Sequence, residues 1–215
     1  MKELTLIIPA KNESESLPDV LEELKKFDLK TKILLQKDDV LTINSIKNYN
    51  CEIIFQKSNG YGNALIQGIS QTNTKYFCIF NADGSFNPSE LNGMFNKIED
   101  SDLDFVFASR YQENSGSDDD TLITLIGNFI FTKLGSIFFN LPITDILYTF
   151  VIGKTEKAKS LNLSKSDFGF CVELPIKAQK NKMKLDSINS FERKRIAGKK
   201  KVNAFKDGFL ILIFM

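Results

Sequence analysis

Short apolar segments alternate with helix-like segments along the first half of this chain. The apolar segments are Leu4–Pro9, Lys32–Gln36, Glu52–Phe55, Tyr76–Phe80 and Asp104–Ala108. The segments with helical patterns are Glu13–Phe27, Leu41–Asn48, Tyr61–Gln71 and Pro88–Ile98. Alternation of this kind with short connections is typical of βαβ units. It predicts an α/β fold in which a mostly parallel central sheet is flanked by helices.

The second half of the chain is less regular. Residues 112–120 are rich in Ser, Gly and Asp, which predicts a mobile loop, and Asp118–Asp120 within it either cap the next helix or contribute to a metal site. The Phe- and Ile-rich segment Thr121–Leu141 is long enough to cover the sheet or to contact a membrane surface. A helix over Phe170–Lys180 and a strand over Lys184–Ile188 are expected to follow.

Composition narrows the chemistry that is available. The 215 residues are 42% hydrophobic and 26% charged, as in an ordinary globular domain. The absence of histidine excludes imidazole catalysis, Ser-His-Asp triads and His-containing zinc sites. The three cysteines are far apart in apolar surroundings, as in reduced cytosolic proteins. The first apolar run is too short for a signal peptide, and we expect no segment to cross a membrane.

Basic residues concentrate near the end of the sequence. Residues 191–203 contain six basic residues and one acid, in a chain whose formal net charge is only +1. The apolar segment Gly208–Met215 follows closely. This combination predicts contact with an anion, such as a phosphate or an anionic lipid surface; the alternative is a solvated basic face.

The segment Tyr76–Ser85 is an apolar strand that ends at small polar residues and a carboxylate, Asp83. Open α/β sheets bind ligands outside the carboxyl ends of their strands. An oxygen-rich site at that edge suits Mg²⁺ or Mn²⁺ carrying a diphosphate. The alternative is an Asx turn in which Asp83 only accepts hydrogen bonds from its own backbone.

Several motifs, taken in order, resemble those of glycosyltransferase family 2, especially the branch of dolichol- and polyprenyl-phosphate mannosyl or glucosyl transferases. They are Leu6–Glu13, Lys57–Ala64, Asn81–Pro88, Ser109–Tyr111, Asp145–Phe150, Phe168–Lys180 and Arg195–Lys201. The resemblance implies the GT-A fold, which is the Rossmann-like fold of nucleotide-diphospho-sugar transferases, in one domain over 1–215. Residues 1–111 would bind the nucleotide sugar, residues 121–200 would form the acceptor side, and 201–215 would be a basic and apolar tail facing a membrane.

The resemblance implies a metal site at Asp83, with Asn81 and Ser85 as further ligands and Ala82 beside the donor. The cofactor would be Mg²⁺ or Mn²⁺, which neutralises the departing nucleotide. Relatives have a second acid where this chain has Asn81, so we expect weaker or more donor-dependent metal binding. Asp83, Asp145 and Arg195 would be the catalytic residues.

The donor site implied by the resemblance runs along the ends of the first strands. Its other residues are Pro9, Ala10, Glu13, Asp38, Asp39, Lys57, Asn59, Gly62, Arg110 and Lys201. Glu13 would accept a hydroxyl of the ribose; the alternative is a helix start capped by Asn12 or Ser14.

The base and the phosphates would be held by different groups. Asp38 or Asp39 would accept an N–H from the base, although Val40-Leu41 replaces the Gly-Ser of relatives. Gly62 opens a helix whose N-terminus favours anions. Arg110 and the basic cluster would surround phosphates.

On the acceptor side, Asp145 or Glu173 would act as a base toward a sugar hydroxyl, whereas an ionised lipid phosphate would need none. Glu173 is alternatively a helix-surface acid. Thr149 and Val151 replace a Gly and an Arg of relatives, so part of the usual acceptor site is missing.

The expected function is inverting transfer of a sugar from a nucleotide-diphosphate sugar to an acceptor, either a polyprenyl phosphate or a saccharide. The protein would be cytoplasmic, with peripheral contact at the cytoplasmic face of the membrane and no nucleic-acid partner. One alternative is a relative that binds nucleotide sugars without turnover. Another is a sugar-1-phosphate nucleotidylyltransferase, which would carry a glycine-rich loop where this chain has Pro9–Asn12.

Overall fold

The computed structural model describes residues 1–198 together with residues 208, 211 and 212. Its strands are β1 (Leu4–Pro9), β2 (Lys30–Leu35), β3 (Glu52–Phe55), β4 (Tyr76–Ile79), β5 (Phe105–Ser109), β6 (Gly116–Ser117), β7 (Val151–Lys154), β8 (Leu185–Asn189) and β9 (Phe191–Glu192). Seven of them form the central sheet in the order β3-β2-β1-β4-β7-β5-β8, and β6 pairs with β9. The strands predicted in the first half of the sequence and near Lys184–Ile188 are confirmed within two residues at each end.

The sheet is parallel except at β7, which runs antiparallel to both of its neighbours. Ile79 of β4 and Phe107 of β5 both pair with Val151 of β7. The sequence analysis assigned no strand to β7, because a short apolar run carries no sign of its partners. The predicted mostly parallel α/β sheet is confirmed, with one inserted antiparallel strand.

The helices are α1 (Leu17–Leu24), α2 (Val40–Ile46), α3 (Tyr61–Ser70), α4 (Leu91–Asp100), α5 (Leu122–Phe139), α6 (Thr155–Ser160) and α7 (Phe170–Lys180). Helix α1 begins later than its pattern predicted, with Ser16 at the N-cap position. The alternative in which Asn12 or Ser14 caps this helix is therefore wrong. Pro88 lies in a short 3-10 turn that precedes α4, where its fixed φ angle is compatible with a helix start.

Apolar side chains cover both faces of the sheet, so the core has two layers. One layer packs beneath α1 and α4 and includes Leu6, Leu17 and Met94. The other packs beneath α3 and α7 and includes Ile7, Leu65 and Val172. Because the sheet is buried on both faces, its ligand-accessible positions are the ends of its strands.

The start of α3 is closely packed against the backbone of residues 165–167. A Cβ atom at Gly62 would lie 2.0 Å from the Lys165 carbonyl oxygen, and one at Gly60 would lie 2.1 Å from that of Ser166. The backbone amide of Asn63 donates to the Ser166 carbonyl over 3.1 Å. The N-terminus of α3, which we expected to favour an anion, is therefore partly satisfied by the protein's own carbonyl groups.

This packing predicts opposite effects for two glycine-to-alanine substitutions. Gly62→Ala forces a backbone shift and should lower the free energy of unfolding by about 3 kcal/mol. Gly127→Ala, in α5, meets no atom within 4 Å and should raise it by about 1 kcal/mol, because alanine is the better helix former. Urea denaturation of both variants measures the difference, and equal effects would contradict the close approach at Gly62.

Candidate active site

Asp83 lies just beyond the carboxyl end of β4, in the loop Asn81–Ser85. The Ser85 amide donates to Asp83 Oδ1 over 3.0 Å, so the Asx turn is present. Gly84 has φ +81°, a left-handed conformation that favours glycine. The turn leaves the second carboxylate oxygen of Asp83 directed away from its own backbone, toward a cation described next. The turn and a ligand-binding role are therefore compatible.

The segment Arg193–Gly198 lies over this loop. The Arg193 amide donates to the Ser85 carbonyl and the Ile196 amide donates to the Asp83 carbonyl, each over 2.8 Å. The Ile196 side chain fills the space where Gly84 has no Cβ. The segment therefore covers the carboxyl edge of β4 as an additional layer.

Arg195 joins two carboxylates from different parts of the chain. Its Nη1 lies 3.4 Å from Asp83 Oδ2, and its Nη2 lies 2.8 Å from Asp119 Oδ2. The Nε atom also donates to Asp119 Oδ1, so the contact with Asp119 is bidentate. The hydrogen bond that Arg195 donates to Asp119 is the main cause that raises the pKa of Arg195. The guanidinium thus supplies positive charge at the carboxylate that was predicted to bind a metal.

Two pockets open elsewhere on the described part of the chain. One of about 420 Å³ is lined by Met1, Lys26, Phe27, Ser89 and Asn92. Another of about 130 Å³ is lined by Lys165, Val172, Glu173, Ile176, Lys177 and Lys180. Asp83 lines neither of these two pockets.

Arg110, at the end of β5, is buried in an ion-pair network. Its guanidinium donates to both oxygens of Asp145, with Nε–Oδ2 at 2.7 Å and Nη2–Oδ1 at 3.0 Å. The Nη1 atom also contacts Asp120 at 3.3 Å and Glu192 at 3.0 Å. The ring of Tyr148 lies 4.5 Å from the guanidinium carbon. Arg110 and Asp145, expected at the donor and at the reaction centre respectively, are thus bonded to each other.

Burial sets the protonation properties of this network. Burial is the main cause that raises the pKa of Glu192, and Arg110 opposes it. The guanidinium stays charged because the attraction of Asp145, Glu192 and Asp120 outweighs its own burial and raises its pKa. One cation is therefore shared among three acids, which makes Arg110 the residue on which the network depends.

The family assignment follows from a comparison of the whole sequence. A family model described as glycosyl transferase family 2 matches residues 5–161, which is well over half of the chain. The chain belongs to glycosyl transferase family 2. As a member of this family it is a glycosyltransferase, and the enzyme class predicted from the motifs is confirmed. Curated proteins give no sequence match.

Solved structures of sugar-phosphoglycerate synthases share the fold. The chain is similar to glucosyl-3-phosphoglycerate synthase from Mycobacterium tuberculosis in complex with Mn²⁺, uridine diphosphate and glucosyl-3-phosphoglycerate, with a TM-score of 0.76 and 12% identity. That similarity covers 98% of this chain and 77% of the other. Mannosyl-3-phosphoglycerate synthase from Rubrobacter xylanophilus gives a TM-score of 0.70 and 13% identity, covering 98% and 72%. The predicted GT-A fold is confirmed, whereas the polyprenyl-phosphate branch is not singled out.

A family 2 glycosyltransferase implies a divalent metal, and the residues around Asp83 fit one in part. Asp83 offers a carboxylate, and Asn81 and Ser85 offer an amide and a hydroxyl oxygen that lie close together, with Asn81 Nδ2 3.5 Å from Ser85 Oγ. No group of three or more acidic, Cys or His side chains that could hold a metal occurs in the described residues. Mg²⁺ typically binds through one or two carboxylates and the phosphates of a substrate, so a single acid suits an ion that arrives with its donor.

The first of the other predicted donor residues lie at and just after the end of β1. Pro9 is the last residue of β1, and the backbone amide of Ala10, the next residue, donates to the Leu34 carbonyl over 3.0 Å. Glu13 is buried and accepts a hydrogen bond from Ser16 Oγ at 2.8 Å. A Cβ atom at Gly198 would lie 3.9 Å from Glu13 Oε2, so the covering segment reaches the predicted ribose site.

The paired acids after β2 have different positions. Asp39 caps α2 by accepting from the Thr42 amide, and it also accepts from the Asn12 amide at 2.7 Å. It therefore fastens the end of β1 to the start of α2, a structural role that the sequence analysis did not assign. Asp38 is exposed and remains the predicted acceptor for the base.

Lys57 and Asn59 are exposed beyond β3, whereas Glu173 is buried in α7. The Glu173 carboxylate accepts from the amides of Ser164 and Lys165 and pairs with Lys177 at 2.9 Å. Burial alone would raise the pKa of Glu173, but these hydrogen bonds lower it. The description of Glu173 as a helix-surface acid is wrong, and its contacts hold a loop. Lys201 lies outside the described residues.

Further residues complete the site, and the sequence analysis had offered Asp118–Asp120 only as helix caps or metal ligands, not as partners of an arginine. Asp119 and Glu192 pair with Arg195 and Arg110, and Tyr148 packs on Arg110. Tyr61 donates to or accepts from Thr149 over 2.7 Å. The clue to Asp119 and Asp120 was present, because three consecutive acids follow an arginine motif by only a few residues. The loop 112–120 is held by β6 pairing in this structure, and its mobility stays a prediction.

Arg195 and a metal ion would compete for Asp83, so removal of the arginine should tighten metal binding. In the absence of nucleotide, Arg195→Met should bind Mn²⁺ severalfold more tightly than the unchanged protein, because a positive charge 3.4 Å from Asp83 is lost. Isothermal titration with Mn²⁺ measures this effect. Lys184→Met, which removes an exposed ion pair with Asp102, is the matched control and should not change it. Weaker Mn²⁺ binding by Arg195→Met would contradict the competition.

Proposed function

We propose that this glycosyltransferase transfers a sugar, with inversion, from a nucleotide-diphosphate sugar to a phosphate-bearing acceptor, and that polyprenyl phosphate is that acceptor. The observation that carries the proposal is the position of Asp83 beyond β4, where its carboxylate is paired with Arg195. The motif resemblance supports the lipid acceptor. The solved relatives carry phosphoglycerate in their names, so a small phosphorylated acid is the second candidate.

The residues around Asp83 would divide the work on the donor diphosphate. Asp83, with Asn81 and Ser85, would hold Mg²⁺ or Mn²⁺, which neutralises the charge of the departing nucleotide when bound. Arg195 would be released from Asp83 and would be available to a phosphate, for which its planar guanidinium is suited. The segment Arg193–Gly198 would have to move, because it covers this edge in the present structure.

Nucleotide and metal binding can be tested without knowledge of the acceptor. We expect one of the uridine- or guanosine-diphosphate sugars to raise the melting temperature strongly with Mn²⁺ and weakly without it. A ligand at 100 times its Kd stabilises the folded state by about 2.7 kcal/mol. A rise of equal size with and without Mn²⁺, unchanged in Asp83→Asn, would refute a donor site at Asp83.

Turnover separates the enzyme from a relative that only binds the donor. Purified protein, donor and Mn²⁺ are incubated in parallel with a polyprenyl phosphate in detergent, with 3-phosphoglycerate and with a neutral saccharide. Product formed from the polyprenyl phosphate alone, with the opposite anomeric configuration to the donor, supports the proposal. Tight donor binding with no product from any acceptor would instead identify a binding protein.

A further inference from the structure

Helix α5 carries large apolar side chains on its outer surface. Its 18 residues have a mean hydropathy of 1.7, and only two of them are buried. The exposed apolar residues are Leu122, Ile123, Leu125, Ile126, Phe129, Ile130, Ile137 and Phe138, with exposed fractions between 43% and 73%. An exposed apolar surface of this extent is unusual for a protein surrounded only by water.

The side of α5 that faces the protein is more polar than the side that faces out. Asn128 and Gly135 are its buried residues. Asn128 Oδ1 accepts from the Leu147 amide over 3.1 Å, and Thr132 Oγ1 accepts from the Ile146 amide over 3.3 Å. A helix on a water-soluble domain normally has the reverse arrangement, with its apolar stripe against the core. The solvent that suits the outer side of α5 is therefore apolar.

The attachment of α5 fixes its orientation relative to the domain. Its first turn is tied to Asp120 through Thr124 Oγ1 at 2.9 Å, and Gly135 packs on Leu141 near its other end. The helix is long and apolar enough to span a membrane by composition, but it is fastened to the domain along its length. It can meet a bilayer only with its side, which agrees with the expectation that this segment does not cross.

The width of the apolar surface favours a bilayer over a protein partner. With 3.6 residues per turn, the exposed apolar residues occupy about 220° of the helix circumference. A flat protein surface contacts a much narrower stripe, whereas lipid can surround a helix on three sides. Lys133 lies within this surface and would be an unpaired charge in a dry protein interface. In a bilayer its long side chain can reach the headgroups.

We propose that α5 lies in the plane of a lipid bilayer, with its outer side inserted into the boundary between headgroups and acyl chains. Anionic headgroups near this surface would meet Lys133 and Lys180. The ammonium group of Lys180 lies 4.9 Å from the ring centre of Phe139. The N-terminus of α5 follows Asp119 and Asp120 directly, so the bilayer would lie beside the Arg195 and Arg110 clusters. The inference concerns a surface and does not depend on the proposed sugar transfer.

The absence of tryptophan from the chain allows a direct test. In Phe129→Trp the only tryptophan lies on the outer side of α5, where Phe129 is 61% exposed. We expect its emission to shift to shorter wavelength on addition of vesicles of phosphatidylcholine with 30% phosphatidylglycerol, and to be quenched by lipids brominated near the headgroup. Phe55→Trp, at an exposed aromatic residue outside α5, is the matched control and should show neither change.

A loss-of-binding variant completes the test. In a vesicle flotation assay the double variant I126S/F129S should partition at least about tenfold less than the unchanged protein, because burial of each apolar side chain drives insertion. The double variant L41S/F55S should partition as the unchanged protein does. Circular dichroism confirms that each variant is folded.

Three outcomes would overturn the proposal. The first is no flotation of the unchanged protein with either neutral or anionic vesicles. The second is flotation that I126S/F129S does not reduce. The third is a shift in the emission of Phe129→Trp that rises with protein concentration in the absence of vesicles, with a dimer mass by light scattering, since this would identify a second copy of the chain as the partner.

Discussion

Asp83→Asn should lower kcat/KM for sugar transfer by about 10³-fold at saturating Mn²⁺, which corresponds to about 4 kcal/mol of transition-state stabilisation. The change is nearly isosteric. The new side chain can still accept the hydrogen bond that the Ser85 backbone amide donates to Asp83 Oδ1 over 3.0 Å. What is lost is the negative charge that would hold the cation against the diphosphate. The measurement is the initial rate of product formation over a range of donor concentrations.

Two comparisons decide what such a loss means. The melting temperature of Asp83→Asn should stay close to that of the unchanged protein, so that lost activity is not lost folding. Asn81→Asp should bind Mn²⁺ about tenfold more tightly, because it supplies a second carboxylate beside Ser85. If Asp83→Asn keeps its activity while Asn81→Asp fails to tighten metal binding, the metal site lies elsewhere.

Arg110→Ala should lower the free energy of unfolding by about 3–5 kcal/mol, the largest loss of stability that we expect from one side chain of the site. The side chains of Asp120, Asp145 and Glu192 are 10%, 0% and 10% exposed, and all three contact the same guanidinium. Removal of that one cation leaves buried carboxylates without their partner. Urea denaturation at neutral pH measures the loss.

The controls separate a buried network from a surface one. Lys184→Ala removes an ion pair in which both side chains are mostly exposed, and the unfolding midpoint should not change measurably. Asp145→Asn tests the catalytic role predicted from the sequence. Lost turnover with unchanged substrate binding would support that role. A lowered unfolding midpoint, with activity reduced only as far as the amount of folded protein is reduced, would assign Asp145 to structure alone.

The fold and the central carboxylate could be predicted from the sequence because both depend on short-range patterns. Alternating apolar and helical segments produced the α/β assignment, and the abrupt end of the strand at Asn81–Ser85 placed Asp83 at a sheet edge. Motifs in a fixed order then indicated the family, which the family model confirms over residues 5–161.

Roles that depend on distant partners could not be predicted in this way. Glu173 was predicted as an acceptor-side acid or a helix-surface acid, because helical position alone does not show that the backbone of Ser164 and Lys165 approaches it. Arg110 looked like a phosphate contact because the acids that surround it come from residues 120, 145 and 192. Which charges are paired is a matter of packing, and packing brings together residues far apart in the chain.

The sequence by itself determined the strand and helix segments of the first half of the chain, the carboxylate at the end of β4 and the glycosyltransferase family. Only the tertiary structure decided that β7 enters the sheet antiparallel, that Arg195 pairs with Asp83, and that α5 presents its apolar side outward. The reason is physical. Backbone preference and hydrophobic period act over a few residues, whereas ion pairing and burial depend on which surfaces meet once the chain has folded.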